Sequence, residues 1–268
     1  MTLAHRVIGP EGAPSSVFVV HGILGSGRNW TSVARSLVSR LAGWRVVLVD
    51  LRGHGDSHGL APPHDLDACA RDLAVLASKL GAPDAVIGHS FGGKVVMQAA
   101  RDGALSPASV WALDTPPGAA AAGSPGHVEM TRVFEALRSV PQPLGSRGEV
   151  VNHLAKHGLS KGIGQWMTTN LRLEDGGYVW RFDLEVAWSL IQSYFREDLW
   201  PWLRSGPEGL RFVRGARSDR FDAPAIRRLE ELPPPVRVDV LADAGHWVHV
   251  DNPGDLLDLL VDDLAELG

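Results

Sequence analysis

The sequence predicts an α/β fold, a mostly parallel sheet with helices on both faces, interrupted by a helical insertion. Three observations carry that expectation. Continuous apolar runs such as Val17-Phe18-Val19-Val20, Trp44 to Val49 and Ser109 to Leu113 are of the kind that parallel sheets bury on both faces. Stretches with apolar residues at helical spacing separate them, which is the alternation of a sheet covered on both sides. From Gly118 to about Ser205 the alternation stops, and it resumes at Leu210. A chain of 268 residues can bury a large core, and length alone permits one large domain or one domain with an insertion. The break in the pattern divides the chain into a core of residues 1–117 and 206–268 around a helical cap of residues 118–205.

In order, Val7-Ile8 is a short edge strand, and Gly9 to Ser16 is a turn-rich approach to the first buried run. That run ends at His21-Gly22-Ile23-Leu24-Gly25, where neighbouring glycines free a backbone N–H just beyond a strand end. Thr31 to Leu41 sets Val33, Leu37, Val38 and Leu41 at helical spacing. The strand from Trp44 runs into Asp50-Leu51-Arg52-Gly53-His54-Gly55-Asp56-Ser57. Asp50, His54 and Asp56 are of catalytic residue types, but tight loops of this composition use Asp and His to hydrogen-bond their own backbone, which is the reading adopted. Leu66, Cys69, Ala70, Leu73, Leu76, Ala77 and Leu80 make the stripe of the next helix, with Cys69 as a small core hydrophobe.

Ala85-Val86-Ile87-Gly88-His89-Ser90-Phe91-Gly92-Gly93 is an apolar run that stops at a serine bracketed by glycines and gives way to a helical pattern. Gly88 to Gly92 has the spacing Gly-x-Ser-x-Gly, a strand-to-helix turn that projects its serine above the sheet. The free N–H groups and positive end of the following helix point to where an oxyanion would form. Ser90 is the first candidate nucleophile; the alternative is a glycine-rich turn with an incidental serine. Asp114 closes the strand Ser109 to Leu113, on the edge where open α/β sheets bind ligands.

The insertion holds five of the nine tryptophans (Trp166, Trp180, Trp188, Trp200, Trp202) and both tyrosines, which suit its own small core or an apolar wall over a site. His153 and His157 share a helix face as in some zinc sites. Without the Glu of His-Glu-x-x-His, and with no cysteine nearby, no metal is expected. Leu210 to Gly215 resumes the strand pattern, followed by a polar turn through Ser218, Asp219 and Arg220, a helix near Ala223 to Leu232, and an alternating edge strand from Val236 to Leu241. His246 follows, next to Gly245. Asp251-Asn252-Pro253 caps a last helix carrying Leu256, Leu257, Leu260, Leu264 and Leu267.

Net charge is −5, with Lys and Arg scattered, so there is no electrostatic footprint for nucleic acid. The single cysteine excludes an intrachain disulfide. With no secretory pattern at the N-terminus and no apolar run reaching about 18 residues, a cytoplasmic protein without a membrane partner is expected, as a monomer or small homo-oligomer.

A serine hydroxyl needs a base to take its proton, a carboxylate to orient that base, and donors for the oxyanion. His246 is the base of choice; His249 is a structural or pocket residue, and His89 is expected to point away. The order Ser, Asp, His is that of α/β-hydrolases. The segments His21 to Ser26, Asp50 to Ser57, Gly88 to Gly93 and Ala244 to His249 together resemble the α/β-hydrolase superfamily, over nearly the whole chain outside the insertion. Thr169-Asn170-Leu171 and Val179 to Leu184 resemble the small-capped ester and thioester hydrolases, which include mitochondrial abhydrolase-domain proteins and bacterial relatives. The resemblance implies oxyanion donors at the backbone N–H groups of Ile23 and Phe91. Many members carry the acid as Gly-x-x-Asp after the strand that begins here at Leu210, but in Gly215-Ala216-Arg217-Ser218 that position is Ser218. The acid is then Asp114, with Ser218 assisting as in the small-capped relatives, or Asp219; Asp114 is preferred.

Haloalkane dehalogenases and epoxide hydrolases carry Asp where this chain has Ser90, so hydrolysis of a small-molecule ester, thioester or lactone fits best, with no cofactor. Cofactor-free perhydrolase or haloperoxidase chemistry uses the same triad, and a small-molecule receptor on this fold is a third reading.

Overall fold

A computed structural model describes residues 2–268. In chain order the first half contributes β1 (His5–Ile8), β2 (Ser15–Val20), α1 (Thr31–Arg40), β3 (Trp44–Val49), α2 (Leu66–Leu80), β4 (Ala85–His89), α3 (Phe91–Arg101) and β5 (Ser109–Leu113). An inserted stretch follows: α4 (Pro125–Arg138), α5 (Arg147–Lys156), α6 (Lys161–Thr169), β6 (Leu171–Glu174), β7 (Gly177–Trp180), α7 (Leu184–Arg196) and α8 (Trp200–Leu203). The chain ends with β8 (Leu210–Gly215), α9 (Ala223–Glu230), β9 (Arg237–Leu241), α10 (Val248–Asp251) and α11 (Pro253–Ala265).

Seven strands form one sheet in the order β1-β3-β2-β4-β5-β8-β9, all parallel except β1, which pairs antiparallel with β3 at the edge. Side chains alternate between faces along a strand, and β2 shows the result. Val17 and Val19 pack with Trp30, α1 and α11 on one face, whereas Phe18 and Val20 pack with α2 and α3 on the other. Local chemistry sets the helix ends. Asp65 caps α2 by accepting from the Ala68 N–H at 2.8 Å, and Asn252 caps α11 by accepting from that of Asp255. Cys69 lies fully buried on α2.

β5 pairs directly with β8, from Val110↔Leu210 to Leu113↔Val213. The inserted stretch therefore leaves and re-enters at neighbouring strands without opening the sheet.

Two expectations need correction. The inserted stretch is not wholly helical, because β6 and β7 form an antiparallel hairpin closed at Asp175-Gly176-Gly177, with φ of 99° and 142° at the two glycines. Asp175-Gly176 between Leu171-Arg172-Leu173-Glu174 and Gly177-Tyr178-Val179-Trp180 is a hairpin signal present in the sequence. The last helix stops at Ala265, so Leu267 lies beyond it and is exposed, and the buried stripe is Leu256, Leu260 and Leu264. Among the described residues no helix is long and apolar enough to cross a membrane.

Candidate active site

β4 delivers Ser90 to the carboxyl edge of the sheet through a turn that only glycines permit. A Cβ on Gly88 would overlap the carbonyl oxygen of Gly92, and one on Gly92 would come within 2.5 Å of the carbonyl oxygens of Val20 and His21. Ser90 itself has φ 54° and ψ −115°, a conformation that L side chains rarely adopt. Its backbone holds it there: the N–H donates to the Leu113 carbonyl at 2.9 Å, and the carbonyl accepts from Thr115 Oγ1 at 3.0 Å. α3 begins at the next residue, and the Phe91 N–H is one of those a first helical turn leaves without an intrahelical partner.

Asp114, at the end of β5, is completely buried and also has a positive φ, 46°. Its Oδ1 accepts from the Gly215 N–H at 2.9 Å, and its Oδ2 accepts from Ser218 Oγ at 2.5 Å and from His246 Nδ1 at 2.7 Å. A carboxylate on Nδ1 fixes the tautomer that leaves Nε2 able to take a proton. Ser218 thus shares the carboxylate with the imidazole. Asp219 does not reach it: the turn closed by the Ser218 N–H on the Gly215 carbonyl aims Ser218 inward and its neighbour outward. The Asp219 side chain is 77% exposed and accepts from Arg220 Nε at 2.8 Å. Gly215 is a supporting residue that the sequence-based candidates omit; its signal is the glycine, since a Cβ there would overlap the Gly245 carbonyl.

His89, expected to point away, instead lies against His246. The ring centroids are 4.8 Å apart, and His89 Nε2 donates to the His246 carbonyl oxygen at 2.8 Å, bracing the loop that carries His246. His249 stacks on Trp30 with centroids 4.1 Å apart and is a packing residue.

The segment His21 to Gly25 runs alongside the serine, so that a Cβ on Gly22 would lie 3.4 Å from the Ser90 Cβ. Two buried imidazoles hold it. His21 Nε2 accepts from the Leu51 N–H at 3.1 Å while Nδ1 donates to the Gly22 carbonyl at 2.7 Å. His54 Nε2 accepts from the Leu24 N–H at 3.0 Å while Nδ1 donates to the Arg52 carbonyl at 3.0 Å. The Gly25 N–H closes the turn on the Gly22 carbonyl, leaving the Ile23 N–H without a partner among the described residues. Asp50 accepts from the N–H groups of Gly27 (2.7 Å) and Asp56 (3.0 Å), so the loop from Asp50 to Ser57 is scaffolding.

An imidazole that accepts at one nitrogen and donates at the other must be neutral. Burial accordingly lowers the pKa of His21 to about 4, of His54 to about 3 and of His249 to about 4. Between those values and the ordinary 6.5 the unfolded chain binds more protons than the folded one, so stability falls as pH falls. Each pH unit in that window costs about 1.4 kcal/mol per group. The thermal midpoint, followed by circular dichroism, should drop steadily from about pH 6.5 to about pH 4.5; a flat midpoint would contradict neutral burial of His21 and His54.

From the inserted stretch, the Tyr194 ring on α7 lies 6.0 Å from that of Phe91, and Trp166 on α6 lies 6.0 Å from Trp247, the neighbour of His246. Trp180 stacks on Phe182, whose ring is 6.5 Å from His54. His153 and His157 do come together, with both Nε2 atoms on Ser139 Oγ at 2.8 and 3.1 Å. No group of three or more His, Cys, Asp or Glu side chains suited to a metal ion occurs among the described residues.

The alpha/beta hydrolase family matches residues 17–259. The sn-1-specific diacylglycerol lipase ABHD11 of Mus musculus is 30% identical over 274 residues, covering 99% of this chain and 86% of that protein. Esterase YbfF of Escherichia coli (strain K12) is 28% identical over 246 residues, covering 91% and 90%. Among solved structures, a marine microorganism esterase shares the fold with a TM-score of 0.82 at 24% identity, covering 97% of this chain and 98% of that one.

Proposed function

Because the chain belongs to the alpha/beta hydrolase family and is a carboxylic ester hydrolase, we propose that it cleaves small-molecule esters or acyl thioesters through an acyl-enzyme on Ser90. His246 is the base and Asp114 its orienting acid. The observation that carries this reading is the buried Asp114 carboxylate, whose Oδ2 accepts from His246 Nδ1 at 2.7 Å on the same sheet edge as Ser90.

Ser90 Oγ attacks the acyl carbonyl carbon while His246 Nε2 takes its proton. The imidazolium so formed is stabilised by Asp114 through Nδ1–H. Charge developing on the carbonyl oxygen faces the N–H groups of Ile23 and Phe91, fixed donors that need no reorganisation during the reaction. Collapse of the tetrahedral intermediate expels the alcohol or thiol, which receives the proton from His246. Water, deprotonated by the same imidazole, then attacks the acyl-serine; the bond from the acyl carbon to Ser90 Oγ breaks, Oγ takes the proton back from His246, and the carboxylic acid leaves. A fluorophosphonate probe tests the assignment: it should label Ser90 and no other residue, and failure to label would favour a receptor with an unactivated serine.

The stretch 118–205 is a lid whose aromatic side chains shape the acyl pocket. The mouse relative's name makes a diacylglycerol a natural member of an ester and acyl-thioester panel of graded chain length. Trp166→Ala should lower kcat/KM for an octanoate ester about tenfold relative to the acetate, since an indole wall contributes on the order of 1.4 kcal/mol to binding a long chain. An unchanged chain-length profile would reduce the lid to scaffolding.

A further inference from the structure

Lys94 lies one helical turn after Ser90, near the start of helix α3, with its side chain completely buried. Its three N–H donors reach three backbone carbonyl oxygens, those of Gly118 at 2.8 Å, Tyr194 at 2.9 Å and Glu197 at 3.0 Å. The acceptors belong to the two stems of the inserted stretch. Gly118 is on the outgoing stem, beyond Asp114; Tyr194 and Glu197 are on the returning one, at the end of α7. The stems also bind each other, through the Ala120 N–H on the Phe195 carbonyl at 2.8 Å and the Leu199 N–H on the Pro117 carbonyl at 3.0 Å. The Lys94 ammonium further sits 4.1 Å from the centroid of the Tyr194 ring, which stands beside Phe91.

We propose that Lys94 is a positioning residue that ties both stems of the lid to the helix carrying the nucleophile and thereby holds the acyl pocket in shape. The proposal rests on the reading of residues 118–205 as a lid. Burying an ammonium is costly unless every N–H finds an acceptor, and here the match is three to three. A methionine would fill the space and leave three carbonyls without a donor. A neutral amine would serve only two of them and turn a lone pair on the third. Burial lowers the Lys94 pKa to about 7, opposed by the nearby carboxylates of Glu197 and Asp198. The other ionisable groups near it are Tyr194 on α7 and Arg101 on α3, which pairs with Glu197.

The ratio of KM for p-nitrophenyl octanoate to KM for the acetate isolates the pocket, because both esters use the same serine and base. In Lys94→Met this ratio should rise about tenfold, and the rise should fall on KM for the octanoate rather than on its kcat. A folded Lys94→Met with the wild-type ratio overturns the proposal. Should that variant fail to fold, the wild type answers by pH: a ratio rising about fivefold between about pH 6 and about pH 9 supports it, and a flat ratio overturns it. Trp166→Ala separates this proposal from the lid reading. If Trp166→Ala shifts the ratio and Lys94→Met does not, only the role of Lys94 falls; if neither does, the lid reading falls and takes the proposal with it.

Discussion

Ser90→Ala is expected to lower turnover of an activated ester by on the order of 10⁴-fold or more and to abolish fluorophosphonate labelling, with a thermal midpoint close to that of the wild type. The turn is held by the Ser90 backbone, through Leu113 and Thr115, and alanine at φ 54° is no more strained than serine. Loss of the hydroxyl therefore removes chemistry and leaves packing intact. His246→Ala should cost nearly as much turnover. His249→Ala removes a ring stacked on Trp30 and should act on stability instead. Activity of Ser90→Ala within tenfold of the wild type would sink the nucleophile assignment, and equal large losses in folded His246→Ala and His249→Ala would mean that the base is misassigned.

Asp114→Asn should lower turnover by on the order of 10² to 10⁴, whereas Asp219→Asn and Ser218→Ala should each cost about tenfold or less. The Asp114 carboxylate accepts three hydrogen bonds, from the Gly215 N–H, Ser218 Oγ and His246 Nδ1. An asparagine of the same shape has one acceptor oxygen, so its NH2 group must face a donor or drive the imidazole into the wrong tautomer, and it supplies no charge for the imidazolium. Ser218 is a neutral donor that shares Oδ2 of that carboxylate with His246. Asp219 is turned toward solvent with Arg220. Near-silence of Asp114→Asn together with a crippled Asp219→Asn would move the acid to the turn after β8.

The strands Trp44–Val49, Ser109–Leu113 and Leu210–Gly215 and the helix Leu66–Leu80 were legible to the residue, because a strand buried on both faces and a helix with a full stripe leave little ambiguity. Ser90 was legible because its turn is local: two glycines and a serine within five residues determine it. The hairpin β6–β7 was legible only at its Asp175-Gly176 turn, since its strands of four residues, mostly half-buried or exposed, carry too little pattern to stand out from helices. His89 could not be oriented from its neighbours, because its partner lies 157 residues away in the chain. Lys94 is the extreme case. Its acceptors are 24, 100 and 103 residues distant, and all are backbone oxygens, which any residue supplies and no motif marks.

The direct pairing of β5 with β8 means that the sheet presenting Ser90, Asp114 and His246 is complete without any residue between Pro117 and Gly209. Two adjacent strand ends can be bridged by any segment whose own ends lie side by side, as the bonds between the stems keep them here. On the assignments proposed above, rate and selectivity are then separable inheritances, one held by the sheet edge and the other by a replaceable graft. Lys94 is the socket for that graft. Its hydrogen bonds go only to carbonyl oxygens, so a foreign segment of unrelated sequence that offers three such oxygens could plug into it, bringing a new substrate range to an unchanged reaction.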